Sequence, residues 1–173
     1  MSLQLSHRTP RDTAEPDHGC HAIKAGEVFD YAWHDLLVER WRRAAEGGRL
    51  PTRADFDPID LRFCLGNLAL VEPLPGGRDF RYRVFGSALA AMLGMDLTGR
   101  LVSDLPHAVR QPLLDCYARC VADGVPYYSW SRGAGPARSW NWSRVMLPLS
   151  DGGRLVRQVL TLVIPDSLGD PAF

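Results

Sequence analysis

The most informative part of the chain is residues 80–100, FRYRVFGSALAAMLGMDLTGR. Its first residues are rich in Tyr, Val and Phe, which predicts a short strand over Phe80–Phe85. A glycine break follows, after which Ser87 can cap a compact helix and Gly94 can end it in the left-handed conformation. A helix that folds back over the strand it follows forms one wall of a small cavity. This arrangement is more typical of sensors and binding modules than of catalysts.

The length and charge of the chain exclude several classes of protein. With 173 residues it is long enough for one domain with a sizeable core. The formal net charge is zero, so no overall field attracts nucleic acid or an anionic membrane. The N-terminus lacks the apolar segment of a signal peptide, and no run approaches the ~20 apolar residues of a membrane span. We therefore expect a cytoplasmic protein with no nucleic-acid partner and no membrane partner.

The first third of the chain divides into a leader and a helix. Residues 1–26 have no periodicity and are predicted to be a flexible leader. Residues 27–48 carry apolar side chains at helical spacing, which predicts an amphipathic helix. Its apolar stripe contains Phe29, Trp33, Leu37 and Trp41. A stripe with two tryptophans has to pack on something, which is either the sheet or the same helix of a second copy.

Residues 49–165 are predicted to form the body of the domain, and residues 166–173 a short tail. Strands are expected at Leu68–Glu72, Phe80–Phe85, Pro126–Arg132, Arg138–Leu149 and Arg154–Ile164. Helices are expected at Ile59–Leu65 and, after the compact helix, from Pro112 to Asp123. This order predicts an α+β fold, with a five-stranded antiparallel sheet, a helical excursion on one face and the N-terminal helix on the other. The last strand is apolar on both faces and therefore needs cover on both sides.

Four segments of the chain resemble the sequence motifs of a known family. They read LPTRADFDPIDL, FRYRVFGSAL, GMDLTGR and LPLSDGGRLVRQVL, and together they span roughly Leu50 to Pro165. The sequence FGSAL followed by GMDLTGR, between correctly placed strands, is the most specific part. In these segments the chain resembles the bacterial PAS_5 family of PAS domains, formerly a domain of unknown function. The resemblance implies a PAS-like fold and a sensory or protein-interaction module without catalytic apparatus.

A PAS-like cavity lies between the sheet and its helical excursion, and several side chains are candidates for its wall. Met92 and Met95 can supply adaptable apolar surface, and Tyr117 lies on the apolar face of the long helix. Trp142 and Arg144 share one face of their strand, and Tyr128 and Trp130 share one face of theirs. An arginine beside aromatic rings could hold a carboxylate. The alternative is that the tryptophans only pack against the N-terminal helix.

The sequence identifies no cofactor and argues against haem and flavin. His107 is the only histidine within the predicted excursion, and it stands beside Pro106 in a predicted turn. The Asn-Cys-Arg context of a flavin photosensor is absent from the sequence. No metal site is predicted. Cys116 and Cys120 lie four residues apart on a helix face, where core packing is favoured over metal binding or redox chemistry.

These observations predict a stand-alone PAS-type module that is not an enzyme. We expect it to bind a small molecule or a signalling protein and to signal through the geometry of a homodimer. One alternative is a small-molecule enzyme with an NTF2-like cone fold, which the scarcity of histidines and interior carboxylates disfavours. The other is a redox sensor that uses Cys116 and Cys120.

Overall fold

The sheet and its helices follow one another along most of the chain. The computed structural model describes residues 17–134 and 139–165. Its strands are β1 (Asp17–Ala22), β2 (Leu68–Pro73), β3 (Phe80–Phe85), β4 (Tyr127–Ala134), β5 (Ser139–Leu149) and β6 (Gln158–Pro165). Its α-helices are α1 (Ala32–Ala44), α2 (Ser87–Leu93) and α3 (His107–Asp123), and short 3-10 helices lie at Arg53–Asp55, Leu65–Asn67 and Val102–Asp104. All strand pairs are antiparallel, in the spatial order β1-β4-β5-β6-β2-β3.

The sheet has six strands, and the prediction of five is wrong because part of the expected leader is a strand. β1 pairs with β4, from Asp17 opposite Arg132 to Ala22 opposite Tyr127. Its sequence has no alternation of apolar residues, since this edge strand is held largely by backbone hydrogen bonds to β4. A Cβ on Gly19 would lie 2.2 Å from the ring of Trp130, so a glycine lets the strand pass over this indole. Residues 1–16 and the predicted tail, 166–173, lie outside the described residues.

Two of the predicted helices differ from those observed. α3 begins at His107 and not at Pro112, which lies inside the helix and lacks the backbone N–H of an ordinary helical residue. The predicted helix at Ile59–Leu65 is a succession of turns. The first of these turns forms because the backbone N–H of Ile59 donates to Asp57 Oδ1 at 2.8 Å. This is the hydrogen bond of a helix N-cap, but the turns that follow do not continue as a regular α-helix.

The two glycine breaks around α2 have different physical causes. Gly94 ends the helix with φ of 72°, as the sequence predicts. The helix cap is Gly86 and not Ser87, which is the first helical residue. Gly86 has an ordinary φ of −58°, but a Cβ there would lie 2.2 Å from the carbonyl oxygen of Gly66 and 2.8 Å from that of Leu68. This glycine is therefore required by the close approach of two backbone segments.

The GMDLTGR segment shapes the return of the chain alongside β3. Asp96 Oδ1 accepts hydrogen bonds from the backbone N–H and the hydroxyl of Thr98, at 2.8 and 2.7 Å. Gly99 follows with φ of 84° and donates its N–H to the carbonyl of Tyr82 at 2.7 Å. The N–H of Tyr82 in turn donates to the carbonyl of Arg100 at 3.0 Å. The GMDLTGR motif therefore forms a turn.

Each face of the sheet carries its own core, as the two-sided apolar pattern of the last strand predicts. On the face covered by α1, the buried residues of the central strands are Leu68, Leu70, Val145, Leu147, Leu149, Leu160, Leu162 and Ile164. On the face covered by α2 and α3, which we call the excursion face, they include Ala69, Val71, Phe80, Tyr82, Met146, Val159 and Val163. The described residues contain no helix with the length and apolar character needed to cross a membrane.

α1 is fixed to the sheet by one directional contact and contains one buried titratable group. The indole N–H of Trp41 donates to the carbonyl of Pro148 on β5 at 2.8 Å. His34 is 0% exposed, and neither of its ring nitrogens has a hydrogen-bond partner among the described residues. Burial lowers the pKa of His34 to about 3, although the nearby backbone of Leu162 acts in the opposite direction. His34 is therefore neutral at physiological pH.

Replacing Gly86 by alanine should destabilise the fold. The new methyl group would overlap two backbone oxygens, and relieving such overpacking costs about 3 kcal/mol. The free energy of unfolding from urea denaturation measures this loss. Gly153→Ala is a matched control, since its Cβ would meet nothing closer than 3.5 Å. Equal stability of the two variants would contradict the close approach at Gly86.

Burial of neutral His34 should make the fold sensitive to acid. The pKa of histidine is about 6.5 in the unfolded chain, so below that pH the unfolded state binds a proton that the folded state rejects down to pH about 3. Stability should therefore fall with pH, by about 2 kcal/mol between pH 7 and pH 5 from this group alone. Urea denaturation at both pH values checks this, and His34→Leu should remove that share of the pH dependence. His107→Gln, at an exposed position, is the control and should leave the pH dependence of stability unchanged.

Candidate functional site

A single arginine marks the centre of the excursion face. Side chains alternate along β5, so Trp142, Arg144 and Met146 face α2 and α3 while Val145 faces α1. Arg144 is half-buried, and its Nη1 donates to Ser131 Oγ on β4 at 3.1 Å. No carboxylate pairs with it within the described part of the chain. Burial lowers the pKa of this guanidinium, which nevertheless stays charged at physiological pH.

Two tyrosines lie close enough to Arg144 to interact with its charge. Tyr117 of α3 is 2% exposed, and its hydroxyl lies 3.2 Å from Thr161 Oγ1 on β6. Tyr82 of β3 is 4% exposed, and no hydrogen bond of its hydroxyl is found among the described residues. Burial raises the pKa of Tyr82 to about 12 and also raises that of Tyr117. Both phenols are therefore protonated, and Tyr82 has an unused donor.

Apolar side chains surround these polar groups. The ring centroid of Phe80 lies 5.2 Å from that of Tyr117, and the centroid of Phe85 lies 5.4 Å from that of Tyr82. Met92 and Trp142 are partly buried against the same core. The arrangement is a polar centre with an apolar surround, which is the usual chemistry of a small-molecule site.

Two of the cysteines beside this centre, Cys116 and Cys120, are in an unreactive state. Cys116 and Cys120 are buried on α3, and Cys20 of β1 packs against the same core. Burial raises the pKa of Cys116 and Cys120 far above the ordinary value, so the thiolate that oxidation or metal binding requires is not formed. In residues 17–134 and 139–165 no group of three or more His, Cys, Asp or Glu side chains could hold a metal.

Four of the predicted pocket residues lie on the excursion face and three do not. Met92, Tyr117, Trp142 and Arg144 belong to that face. The assignment of Tyr128 and Trp130 to the pocket is wrong, because they lie on the opposite face. Tyr128 contacts the ring of Phe29, with a centroid distance of 5.1 Å, and neighbours Trp130. Met95 is also misassigned, because it is 59% exposed in the turn after α2.

Trp142 overturns the simplest alternative for the tryptophans of β5. It packs on the excursion face, whereas packing against the N-terminal helix would require the other face. The side chain of Trp140 lies outside the described part of the structure. His107 also differs from the expectation, since it begins α3 and is exposed.

The stripe of α1 is divided between the sheet and the surface. Leu37 and Trp41 are buried against the sheet, while Phe29 and Trp33 are half-buried at its edges. The ring of Trp33 packs on Phe63, with a centroid distance of 5.7 Å. The helix therefore covers the sheet, and its apolar stripe is largely used within the chain.

Three polar residues of the site were missed from the sequence. Tyr82 belongs to the alternation of FRYRVF, in which Phe80 and Tyr82 face inward while Arg81 and Arg83 face outward. Thr161 is the only polar residue within VLTLVI, a pattern that indicates a buried hydrogen bond. Ser131 gave no signal of its own, because its role depends on the register that places β4 beside β5.

Comparison with known proteins identifies the family. The PAS_5 model, described as a PAS domain, matches residues 32–153, which begin at α1 and end in the turn after β5. No significant match was found among curated proteins or among solved structures. The family match covers more than half of the chain and agrees with its sheet, its excursion and its GMDLTGR turn. The chain belongs to the PAS_5 family of PAS domains.

Proposed function

We propose that this protein is a cytoplasmic sensory module whose excursion face receives a small ligand. The family match supports a sensory or interaction role. The observation that carries the proposal is the polar centre on this face, where the half-buried Arg144 and the Tyr82 hydroxyl keep unused hydrogen-bond donors inside an apolar surround. Donors that border an apolar surround and that no protein group of the described residues uses are available to a ligand, which favours a binding site here.

The protonation states of these groups favour binding over catalysis. A general base or a nucleophile must be deprotonated near neutral pH. Burial raises the pKa of the Tyr82 and Tyr117 phenols and of the Cys116 thiol, and the Arg144 guanidinium keeps its charge. None of them is poised for proton transfer, which supports a module that is not an enzyme. The same raised thiol pKa argues against the redox alternative.

β5 offers a direct route from the ligand to the surface of the domain. Arg144 faces the ligand, and four residues later the Pro148 carbonyl accepts the hydrogen bond of Trp41. A displacement of β5 on ligand binding would therefore act on α1 through a buried, directional contact. We propose that α1 reports occupancy in this way, either to a signalling protein or across a homodimer.

The exposed part of α1 is our candidate for the dimer contact. Leu36 lies on α1 with 42% exposure, and Val28 precedes the helix and is mostly exposed. Apolar side chains that the fold leaves uncovered beside an amphipathic helix favour contact with a second copy or with a partner.

Native mass spectrometry of the freshly purified protein tests the ligand role. We expect a mass above that of the chain, which disappears when the protein is denatured. Arg144→Gln should abolish or reduce the excess mass, because it removes the charged donor of the site. Arg83→Gln is the control, since Arg83 faces outward and interacts with Glu72 at 3.6 Å. A protein that purifies without a ligand and also binds no small carboxylic acid or amide in calorimetry would contradict the ligand role.

Sedimentation velocity over a range of concentrations tests the dimer. We expect the intact chain to form a dimer that Leu36→Arg weakens, because a charge is then buried in the contact. Leu93→Arg is the matched control, since Leu93 is 40% exposed on α2, in the excursion. A monomeric mass at all concentrations, or equal loss in both variants, would overturn this role of α1.

A further inference from the structure

The charge on the excursion face has no counter-charge. Arg144 has five N–H donors, and its printed hydrogen bond to Ser131 uses one of them. The ion pairs of the described residues involve other arginines and His21, all of them with carboxylates elsewhere. The ionisable groups that interact with the charge of Arg144 are Tyr82, Tyr117 and Cys116, and burial keeps all three neutral. A guanidinium that is partly removed from water without an anion is unfavourable.

The groups around Arg144 select for an anion. The Tyr82 hydroxyl is a protonated donor without a partner among the described residues, and the Tyr117 hydroxyl is within reach of Thr161. Together with the guanidinium they offer several donors and no acidic acceptor. A ligand that carries a positive charge would meet Arg144 without compensation.

The shape of the donor set favours a carboxylate in particular. The planar fork of a guanidinium matches the two oxygens of a carboxylate, and such pairs form two parallel hydrogen bonds. The surround of Phe80, Phe85, Met92 and Trp142 is apolar or aromatic, and this suits a hydrocarbon or ring body better than a second charged group.

We infer that the excursion face binds a small organic carboxylate with an apolar or aromatic body, whose carboxylate is held by Arg144 with the Tyr82 hydroxyl as a second donor. This inference rests on the proposed function and specifies the ligand class of that site. The binding is non-covalent.

Paired acids and amides provide the test. Isothermal titration calorimetry of the unliganded full chain would compare phenylacetate, indole-3-acetate and hexanoate with the corresponding amides. We expect at least one acid to bind roughly 30-fold or more tightly than its amide, because only the acid neutralises the buried guanidinium. If the protein purifies with a bound molecule, its identification by mass spectrometry gives the same answer directly.

Two variants test whether the Arg144 guanidinium and the Tyr82 hydroxyl donate to the carboxylate. Arg144→Gln should abolish the preference for the acid over the amide, and Tyr82→Phe should weaken binding of the acid about fivefold through loss of one hydrogen bond. Arg83→Gln should have no effect. If Arg144→Gln does not fold, Tyr82→Phe and the acid–amide preference of the unmodified protein still decide the matter.

The outcomes separate the inference from the function. An amide or another neutral compound that binds as well as the acid, or a co-purified neutral ligand, would overturn the carboxylate and leave the ligand-binding module standing. Acid binding that is indifferent to both Arg144→Gln and Tyr82→Phe would overturn the assigned site. No binding of any acid or amide, with no co-purified molecule, would overturn both the inference and the ligand role.

Discussion

The two helical layers of the structure are required because β6 is apolar on both faces. This strand lies between β5 and β2, and its residues are buried from Val159 to Pro165. Apolar side chains on both faces exclude an open sheet, so one layer of helices is required on each side. α1 provides one layer and the excursion provides the other. The sheet therefore separates two interiors, and each strand of its centre contributes side chains to both.

The two interiors differ in charge, and this difference supports the location that we propose for the site. The core under α1 consists of aliphatic and aromatic side chains with the neutral His34 and the Cys64 thiol among them. The core under the excursion contains a guanidinium, phenolic hydroxyls and thiols. Since an apolar core is the cheaper way to stabilise a fold, the guanidinium under the excursion supports the proposed binding role of this face. The same two-layer design leaves β5 in contact with both the site and α1.

The sequence predicts which residues of a strand share a face. It predicts less well whether that face is covered by α1 or by the excursion. The glycine breaks around α2 and the common face of Trp142 and Arg144 follow from local rules and are found. Tyr128 and Trp130 also share a face, but that face is decided by pairing, since Tyr128 lies opposite Val145 and both face α1. The strand β1 was not predicted from the sequence for a related reason. Its pairing with β4 is made by the backbone, which leaves no apolar pattern to read.

The environment of Arg144 also explains how a ligand could bias the conformation of the domain. Without an anion, the guanidinium gains by reaching water, which favours separation of β5 from the excursion; with an anion, the pair gains by being enclosed. These opposing preferences would act on the strand whose Pro148 carbonyl accepts the hydrogen bond of Trp41, and in the proposed function they would reach α1 through this contact. A neutral ligand of the same shape would fill the space without reversing the preference. In the proposed function, charge, more than volume, would therefore be the property through which this face distinguishes its occupied state from its empty one.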